Sequence, residues 1–225
     1  MKKKTFSLVL VILIVSFTVF IVQLFITVSS NKSNQYTAYV KPENALPILT
    51  TEDGVTKVNG HVLVNEQYSL PKTYNPGESK HARRQLNKLL AQAEKEEIDL
   101  KYRSGFRSYE EQQKLIKQAI KQDGRQKAYD YTAKPGHSEH QTGLAFDVGT
   151  DAPLSNFKKE FGHSKEGRWL AKHAKQYGFI IRYPKGEEDW TGYEYEPWHL
   201  RYVGDSLAHT IHEEQTSLEK YYNLK

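Results

Sequence analysis

The chain contains no cysteine among its 225 residues. Disulfide bonds and thiolate metal sites are therefore excluded, and any bound metal must take its ligands from histidine, aspartate or glutamate. A folded domain of ~150–170 residues buries roughly two thirds of the surface that its unfolded chain exposes, so a stable core needs no covalent cross-link. The absence of disulfides does not by itself indicate a cytoplasmic protein.

The chain also lacks a strong excess of charge of one sign. It has 32 basic and 27 acidic residues, which gives a formal net charge of +5. Lys2, Lys3 and Lys4 are the only charged residues among the first 30, so the remainder has 29 basic and 27 acidic residues. Because this remainder is nearly neutral and contains no recognisable nucleic-acid-binding module, nucleic acid is not expected as a partner.

One long uncharged run lies near the amino terminus. Residues 6–28 contain no charged side chain, and a bilayer's hydrocarbon core is crossed by ~20 apolar residues in a helix. A cleaved signal peptide is the alternative, although its apolar region is usually only ~7–15 residues long and precedes an Ala-x-Ala-like site. The lysines before the run predict that the amino terminus stays inside. We therefore expect an uncleaved, single-pass anchor in the cell membrane, with the rest of the chain extracytoplasmic.

Three segments are predicted along the chain. Residues 1–30 form the cytoplasmic lysines and the transmembrane anchor. Residues 31–60, rich in Asn, Ser, Lys and Thr and without clear periodicity, are predicted to form an extracytoplasmic stalk. Residues 61–225 are predicted to form one catalytic domain, and we expect the protein to be a monomer.

Helical and strand patterns alternate within that domain. Ser108 and Glu111 form a capping-box signature that opens a helix ending before Gly124. The apolar face predicted for this helix comprises Leu115, Ile116, Ala119 and Ile120. Other helices are predicted at residues 78–97 and 165–177, with a polar helix at the end of the chain. Short strands are predicted near residues 98–102, 143–149, 179–183 and 199–203. The fold class is therefore α+β, with one small sheet covered by helices.

Two segments carry the residue types of a metal site. Residues 138–147 contain His140 and Asp147, and residues 196–201 contain Glu196 and His199. Two histidines and one aspartate, with a fourth position open to water, make up the ligand set of a catalytic zinc site. The same ligands accept other divalent metals.

Glu196 lies three residues before His199, and the intervening Pro197 argues against a helix there. In an extended or turned segment this spacing can set the Glu196 carboxylate beside the metal-bound water without making it a ligand. Zinc activates water by lowering its pKa to about 7, and a nearby carboxylate can take a proton from that water and deliver it to a leaving amine. The chemistry indicated is metal-assisted amide hydrolysis.

Nine histidines make chance proximity easy, and a single histidine is more often a surface or core residue than a ligand. His137-x-x-His140 is an alternative ligand pair, although His137 is interpreted as a neighbour of the site. The others are interpreted as ordinary surface or core residues: His61, His81, His163, His173, His209 and His212.

The ordered motifs resemble a known family. Ser-x-His-x-x-Gly-x-Ala-x-Asp at residues 138–147, followed by Glu-x-Trp-His at residues 196–199, is similar to the VanY-type D-alanyl-D-alanine carboxypeptidases, close relatives of the LdcB L,D-carboxypeptidases. Residues 104–109 (SGFRSY) and 178–186 (GFIIRYPKG) extend the resemblance, which covers about residues 62–204. The fold that this implies is a compact α+β unit on an antiparallel sheet, shared with the signalling domain of Hedgehog proteins.

The resemblance implies a role for each matching residue. His140, Asp147 and His199 would bind one Zn²⁺ per chain, and Glu196 would act as general base and then acid. Arg107 would bind substrate oxygen atoms and stabilise developing negative charge. The other implied substrate-binding residues are Gln112, Ser138 and Tyr183. The implied substrate is a stem peptide of bacterial peptidoglycan, from which a terminal D-alanine is removed.

Several alternatives remain open at this level. The scissile bond can be of the D,D or the L,D type, since both leave D-alanine and use the same metal chemistry. An endopeptidase that cuts cross-links is a second possibility if the cleft is open at both ends. A wall-binding module without turnover is a third, although Glu196 and Arg107 argue against it because binding alone needs no proton-shuttling carboxylate.

Overall fold

The computed structural model describes residues 47–152 and 157–224. The predicted transmembrane anchor, residues 6–28, lies outside these ranges. Within them, no helix combines the length and the apolar character that crossing a membrane requires.

The described chain begins with a three-stranded antiparallel sheet. Its strands are β1 (Leu49–Glu52), β2 (Val55–Val58) and β3 (His61–Val62), hydrogen-bonded in that order. The two valines at the ends of β2, Val55 and Val58, are buried, while Thr56 and Lys57 between them are half-buried. This sheet occupies part of the segment predicted as a stalk, so residues 49–58 belong to the folded domain.

Two tight turns explain why this segment folds. Asp53 and Gly54 both have positive φ angles, 50° and 76°, and Asn59 and Gly60 have 46° and 84°. Positive φ at both central residues is the requirement of a type I′ hairpin turn, for which Asp-Gly and Asn-Gly are preferred sequences. The two dipeptides therefore set the register of all three strands.

A second, four-stranded sheet forms the centre of the domain. Its strands are β4 (Lys101–Ser104), β5 (Ala145–Gly149), β6 (Phe179–Ile181) and β7 (His199–Tyr202). They are hydrogen-bonded in the order β4-β5-β7-β6, and every pairing is antiparallel. The α+β class with small antiparallel sheets is confirmed, but the described residues form two sheets rather than the single sheet expected.

Seven α-helices lie in the described part of the chain. They are α1 (Lys80–Lys95), α2 (Tyr109–Asp123), α3 (Arg125–Tyr131), α4 (Lys165–His173), α5 (Glu188–Thr191), α6 (Asp205–Glu213) and α7 (Leu218–Tyr221). Short 3-10 helices occupy Glu139–Thr142, Lys159–His163 and Ala174–Tyr177.

The predicted capping box opens α2. The Ser108 hydroxyl accepts from the Glu111 backbone N–H at 3.2 Å, and the Glu111 carboxylate accepts from the Ser108 N–H at 2.8 Å. Ile116 and Ala119 are buried as predicted, but Leu115 is 37% exposed. The apolar stripe of α2 is narrower than predicted because Leu115 faces a cleft instead of the core.

Alternate residues of each strand of the central sheet lie on opposite faces, so one face packs against the core and the other carries His199 and Asp147. Phe146 on β5 and Leu200 on β7 are paired across the sheet and are buried in the main core with α1 and α4. Asp147 and His199, their sequence neighbours, are also paired and point to the opposite face. One residue of slippage would exchange the two faces, so the buried core fixes which side chains reach the site.

The carboxyl-terminal helices build a second core and correct the prediction of a polar helix there. Leu207 and Ile211 of α6 pack with Leu218 of α7 in a buried cluster. The same cluster includes Val58 from the amino-terminal sheet and Ile180 from β6. Leu207 and Ile211 are four residues apart and therefore lie on one helical face. The polar and charged residues around them led to the prediction of a polar helix.

Gly143 ends the 3-10 helix Glu139–Thr142 in the left-handed conformation, with φ of 70°. A Cβ atom at this position would overlap the Gly77 carbonyl oxygen. The close approach is held by a hydrogen bond from the Ser79 N–H to the Gly143 carbonyl at 3.0 Å. Gly143 therefore fixes the helix that carries His140 against the start of α1.

We expect Gly143→Ala to lower the free energy of unfolding by at least about 1–2 kcal/mol, the cost of a left-handed residue with a side chain. The overlap with Gly77 adds to that cost. Urea denaturation measures the change, with Gly60→Ala as the matched control, because Gly60 has a φ of 84° and open space around its Cβ position. Equal losses in the two variants would contradict the steric part of this prediction.

Candidate metal centre and cleft

Three separate elements bring the predicted metal ligands together. His140 lies in the 3-10 helix Glu139–Thr142, while Asp147 on β5 and His199 on β7 are direct cross-strand partners. His140 Nε2 is 3.1 Å from Asp147 Oδ2, and His199 Nδ1 is 3.4 Å from Asp147 Oδ1. One ligand atom from each residue lies within 4.8 Å of the others, and all three residues are buried. This is the spacing that a single metal ion requires.

The two imidazoles present different nitrogens to the centre. His140 Nδ1 is 2.7 Å from the Gly105 carbonyl oxygen, an acceptor, so it donates and leaves Nε2 with its lone pair toward Asp147. His199 is turned the other way, with Nδ1 toward Asp147 and Nε2 toward Glu139. A hydrogen bond to one ring nitrogen decides which nitrogen is left to bind a metal.

The donor set fits a zinc ion. Asp147 Oδ1 is buried and has no hydrogen-bond partner among the described residues, and a buried acceptor without a partner is costly unless an ion satisfies it. Burial alone would raise the pKa of Asp147, but the nearby His140, His199 and Arg107 outweigh it and lower that pKa, which keeps the carboxylate ionised. Two imidazoles and a carboxylate are ordinary zinc ligands.

His199 has a strongly perturbed acidity in the metal-free protein. Burial lowers its pKa, but the nearby carboxylates of Glu139, Glu196 and Asp147 outweigh burial and raise the pKa to about 10. A metal binds the neutral ring, so metal binding releases this proton. The surrounding carboxylates thus favour a positive charge beside His199, which is the predicted position of the metal cation.

Glu196 stands beside the three ligands rather than among them. Its carboxylate Oε2 is 3.3 Å from His199 Nδ1, and its side chain is 23% exposed. A tight turn fixes this placement, since the His199 N–H donates to the Glu196 carbonyl at 3.1 Å. The Glu196 N–H in turn donates to the Tyr183 carbonyl at 3.0 Å. A partly solvated carboxylate at the edge of a metal site is the arrangement of a general base.

A cleft of about 650 Å³ opens onto the cluster. Every residue singled out from the sequence lines it: Arg107, Gln112, Ser138, His140, Asp147, Tyr183, Glu196 and His199. Trp198 also lines the cleft. The fold therefore gathers residues from four separate stretches of the chain into one concave surface.

Arg107 and Gln112 form a unit on one wall. Arg107 donates from Nη1 to Gln112 Oε1 at 2.7 Å and from Nη2 to the Ser104 hydroxyl at 3.2 Å. The Gln112 amide donates to the Ala133 carbonyl at 2.6 Å, and Gln112 is only 1% exposed. Both ends of the Gln112 amide thus have protein partners, and its Oε1 orients the guanidinium, while its contact with substrate stays a prediction.

Tyr183 and Ser138 also line the cleft. The Tyr183 ring lies 5.0 Å from the His199 ring and 4.6 Å from that of Tyr193. Burial and the charge of Glu139 raise the pKa of the Tyr183 hydroxyl well above its usual value, so it remains a protonated donor. Ser138 is buried directly before the 3-10 helix, and its hydroxyl caps no backbone N–H of that helix.

His137 is engaged away from the metal cluster. Its Nδ1 lies 2.8 Å from the Asn65 carbonyl oxygen, and its own carbonyl accepts from the Tyr193 hydroxyl at 3.2 Å. Among the described residues, the group with metal-binding geometry contains His140, Asp147 and His199 and not His137. The alternative ligand pair His137 and His140 is therefore not formed.

Two features of the site were missed from the sequence. The first is a rim of large, exposed side chains around the cleft, formed by Leu115, Tyr129, Tyr131 and Phe157. The second is a group of buried charges behind it, comprising Glu139, Arg182, Arg201 and Glu219. The Arg201 guanidinium donates from Nη1 to Glu139 Oε1 at 2.6 Å. Nothing local in the sequence marks Glu139 or Glu219 as buried.

Comparisons with known proteins agree with this site. Residues 75–205 match the family model described as VanY: D-alanyl-D-alanine carboxypeptidase. YodJ of Bacillus subtilis is 36% identical over an alignment that covers 87% of this chain and 81% of YodJ. The solved LdcB LD-carboxypeptidase superimposes with a TM-score of 0.68 at 37% identity, covering 79% of this chain and 94% of LdcB.

A further solved structure contains the metal that the donor set suggests. It is a variant of the D,D-pentapeptidase VanY from a VanB-type resistance cassette, in complex with Zn(II). It superimposes with a TM-score of 0.61 at 32% identity and covers 71% of this chain and 96% of the VanY chain. With the family model spanning more than half of its length, the chain described here belongs to the VanY family of D-alanyl-D-alanine carboxypeptidases.

Proposed function

We propose that this metallocarboxypeptidase uses one zinc ion to remove the terminal D-alanine from stem peptides of peptidoglycan. The observation that carries the proposal is the shared cleft, in which Arg107 and Glu196 accompany the cluster of His140, Asp147 and His199. Hydrolysis of a terminal amide bond needs a cation that binds the carboxyl end of the peptide, a base that takes a proton from water, and a metal site.

Each residue has a distinct task in this proposal. His140, Asp147 and His199 hold the zinc ion, which supplies the Lewis acidity that activates water and polarises a carbonyl. Glu196 takes a proton from the attacking water and delivers it to the leaving amine of D-alanine. The Arg107 guanidinium, oriented by Gln112, binds substrate oxygen atoms. Tyr183, with its hydroxyl held neutral, provides a further donor in the cleft.

The dimensions of the cleft favour a peptide over a free dipeptide. Its volume of about 650 Å³ lies in the range typical for ligands of drug size, and its exposed rim extends beyond the metal cluster. LdcB and VanY are named as an LD-carboxypeptidase and a D,D-pentapeptidase, so both kinds of bond remain candidates here.

The proposed location follows from residues 6–28, which lie outside the described part of the chain. We propose that this uncharged run anchors the protein in the cell membrane with the catalytic domain outside, where the wall polymer is. The test is fractionation of cells that produce the full chain, followed by protease treatment of intact protoplasts. A catalytic domain recovered in the cytosol and protected from protease would overturn this part of the proposal.

The reaction is tested on the full chain in detergent, loaded with zinc and incubated separately with a stem pentapeptide ending in D-Ala-D-Ala and with a tetrapeptide. Mass spectrometry follows the loss of one alanine. Loss from one substrate identifies the preferred bond. No loss from either, while cross-linked dimers are cut internally, would replace the carboxypeptidase with an endopeptidase. No loss from any substrate by the zinc-loaded protein would indicate a wall-binding module.

A further inference from the structure

A buried ionic network lies directly behind the metal ligands. Its four members are Glu139, Arg182, Arg201 and Glu219, and each is at most 1% exposed. Their formal charges cancel, with two carboxylates and two guanidinium groups. Buried charge is costly and is tolerated only when it is paired and fully hydrogen-bonded. None of the four is a metal ligand in the proposed reaction.

Glu139 is the member that reaches the metal centre. It immediately precedes the ligand His140 and lines the cleft, but it is only 1% exposed. Its Oε1 accepts from Arg182 Nε at 2.7 Å and from Arg201 Nη1 at 2.6 Å. Two charge-assisted hydrogen bonds on one oxygen fix the carboxylate and leave the second oxygen, Oε2, to face His199.

Oε2 of Glu139 and Nε2 of His199 are 3.6 Å apart. Both atoms are buried, and neither has a hydrogen-bond partner among the described residues. The distance is just longer than a hydrogen bond, and a shift of a few tenths of an ångström in either side chain closes it. The two atoms are complementary, since one is a carboxylate acceptor and the other a ring nitrogen that carries a proton whenever Nδ1 is a ligand.

Arg182 links Glu139 to Glu219, which lies in α7. Arg182 donates from Nη1 and Nη2 to the two oxygens of Glu219 at 2.7 and 2.6 Å. Glu219 also accepts from Asn65 Nδ2 at 3.1 Å. This bidentate pair holds the Arg182 guanidinium in one orientation, which in turn positions the Nε that binds Glu139.

From this geometry we propose that Glu139 is a positioning residue for the metal centre. Its carboxylate holds His199 with Nε2 toward the protein interior, so that Nδ1 is presented to the ion together with His140 and Asp147. Partners of this kind on the outer nitrogen of a ligand histidine fix the ring and strengthen its binding of the metal. The inference concerns the metal site and not the bond that is cleaved, so it goes beyond the proposed function.

The first test measures zinc affinity in two matched variants. Glu139→Gln keeps the shape but replaces the carboxylate, and we expect the zinc dissociation constant, measured by competition with a chromophoric chelator, to rise about 10–100-fold. Glu187→Gln is the control, because it removes a buried carboxylate whose side-chain partners are Ser217 and Lys220 and which lies outside this network. We expect its melting temperature to fall but its zinc affinity to stay close to that of the wild type. Unchanged affinity in Glu139→Gln, or an equal loss in both variants, would overturn the proposal.

A second measurement needs no variant and decides the matter if Glu139→Gln does not fold. Long-range ¹H–¹⁵N correlation spectra of the zinc-loaded wild type report which ring nitrogen of His199 carries the proton. The proposal expects the proton on Nε2, and a proton on Nδ1 would refute it. Zinc binding without any peptide turnover would refute the proposed function while leaving this inference intact.

Discussion

Glu196→Gln is expected to lower kcat/KM by about 10²–10⁴-fold, the usual contribution of a positioned proton-transferring group. The amide has nearly the same shape as the carboxylate but cannot take a proton from water. Because Glu196 lies outside the ligand cluster of His140, Asp147 and His199, the variant should still bind zinc. Steady-state kinetics on the preferred stem peptide, together with zinc content by atomic emission, measure both effects.

Glu194→Gln is the matched control for that experiment. Glu194 lines the same cleft two residues earlier, and its carboxylate forms an exposed ion pair with Lys159 at 3.0 Å. Exposed ion pairs contribute at most about 1 kcal/mol, so its kcat/KM should change by no more than about fivefold. Similar losses of kcat/KM in the two variants would mean that the activity depends on the negative charge along this part of the cleft rather than on Glu196 as a base.

Removal of the metal is expected to abolish turnover completely, and added zinc should restore it. The ion is expected to bind the folded chain, in which the ligands from three separate elements meet, and not the unfolded chain. Zinc at 100 times its dissociation constant therefore stabilises the fold by about 2.7 kcal/mol. For a protein of this size, that corresponds to a rise in melting temperature of about 5–10 °C. Thermal denaturation of chelator-treated protein, with and without zinc, gives the shift.

Two histidine variants make this experiment specific. His140→Gln should lose both the activity and the zinc-dependent shift in melting temperature. His137→Gln should keep the shift, because His137 Nδ1 is bound to the Asn65 carbonyl oxygen and the ring is not part of the cluster. The reverse pattern would show that His137 is the ligand and that the cluster described here is not the metal site.

The parts of the site that could be predicted are those that depend on short stretches of sequence. Asp147 and His199 each lie within a strand whose neighbouring residues, Phe146 and Leu200, are apolar, and the period of two then places both polar groups on one face. The capping box at Ser108 depends on four consecutive residues and was also predictable. In each case the decisive interactions are local, so the sequence pattern contains them.

The amino-terminal sheet was missed although a local signal for it exists. The composition of residues 31–60 indicated an extended stalk, and that composition outweighed the dipeptides Asp53-Gly54 and Asn59-Gly60. Asp-Gly and Asn-Gly flanked by alternating apolar residues are among the strongest short-range indications of a hairpin. Both turns adopt the expected positive φ angles, so closer attention to these dipeptides would have moved the start of the domain.

The buried charges could not be predicted from local pattern. Glu139 and Glu219 are separated by 80 positions and are buried only because Arg182 lies between them in the folded chain. Glutamate is almost never fully buried unless it is paired, so a sequence pattern assigns each of them to the surface. Leu115 is the reverse case, an apolar residue that was predicted to be buried but is exposed. It lies on the apolar stripe of α2, yet it faces the cleft instead of the core.

The bidentate pair of Arg182 and Glu219 also bears on when this protein becomes active during its synthesis. Until α7 has been made, Arg182 has only Glu139 as an ionic partner, and the cluster that contains Leu218 and Tyr221 is incomplete. A buried charge that has lost its partner is strongly destabilising. A nascent chain that already contains every zinc ligand but not yet α7 is therefore expected to stay unfolded and protease-sensitive, so hydrolytic activity arises only after α7 has left the ribosome.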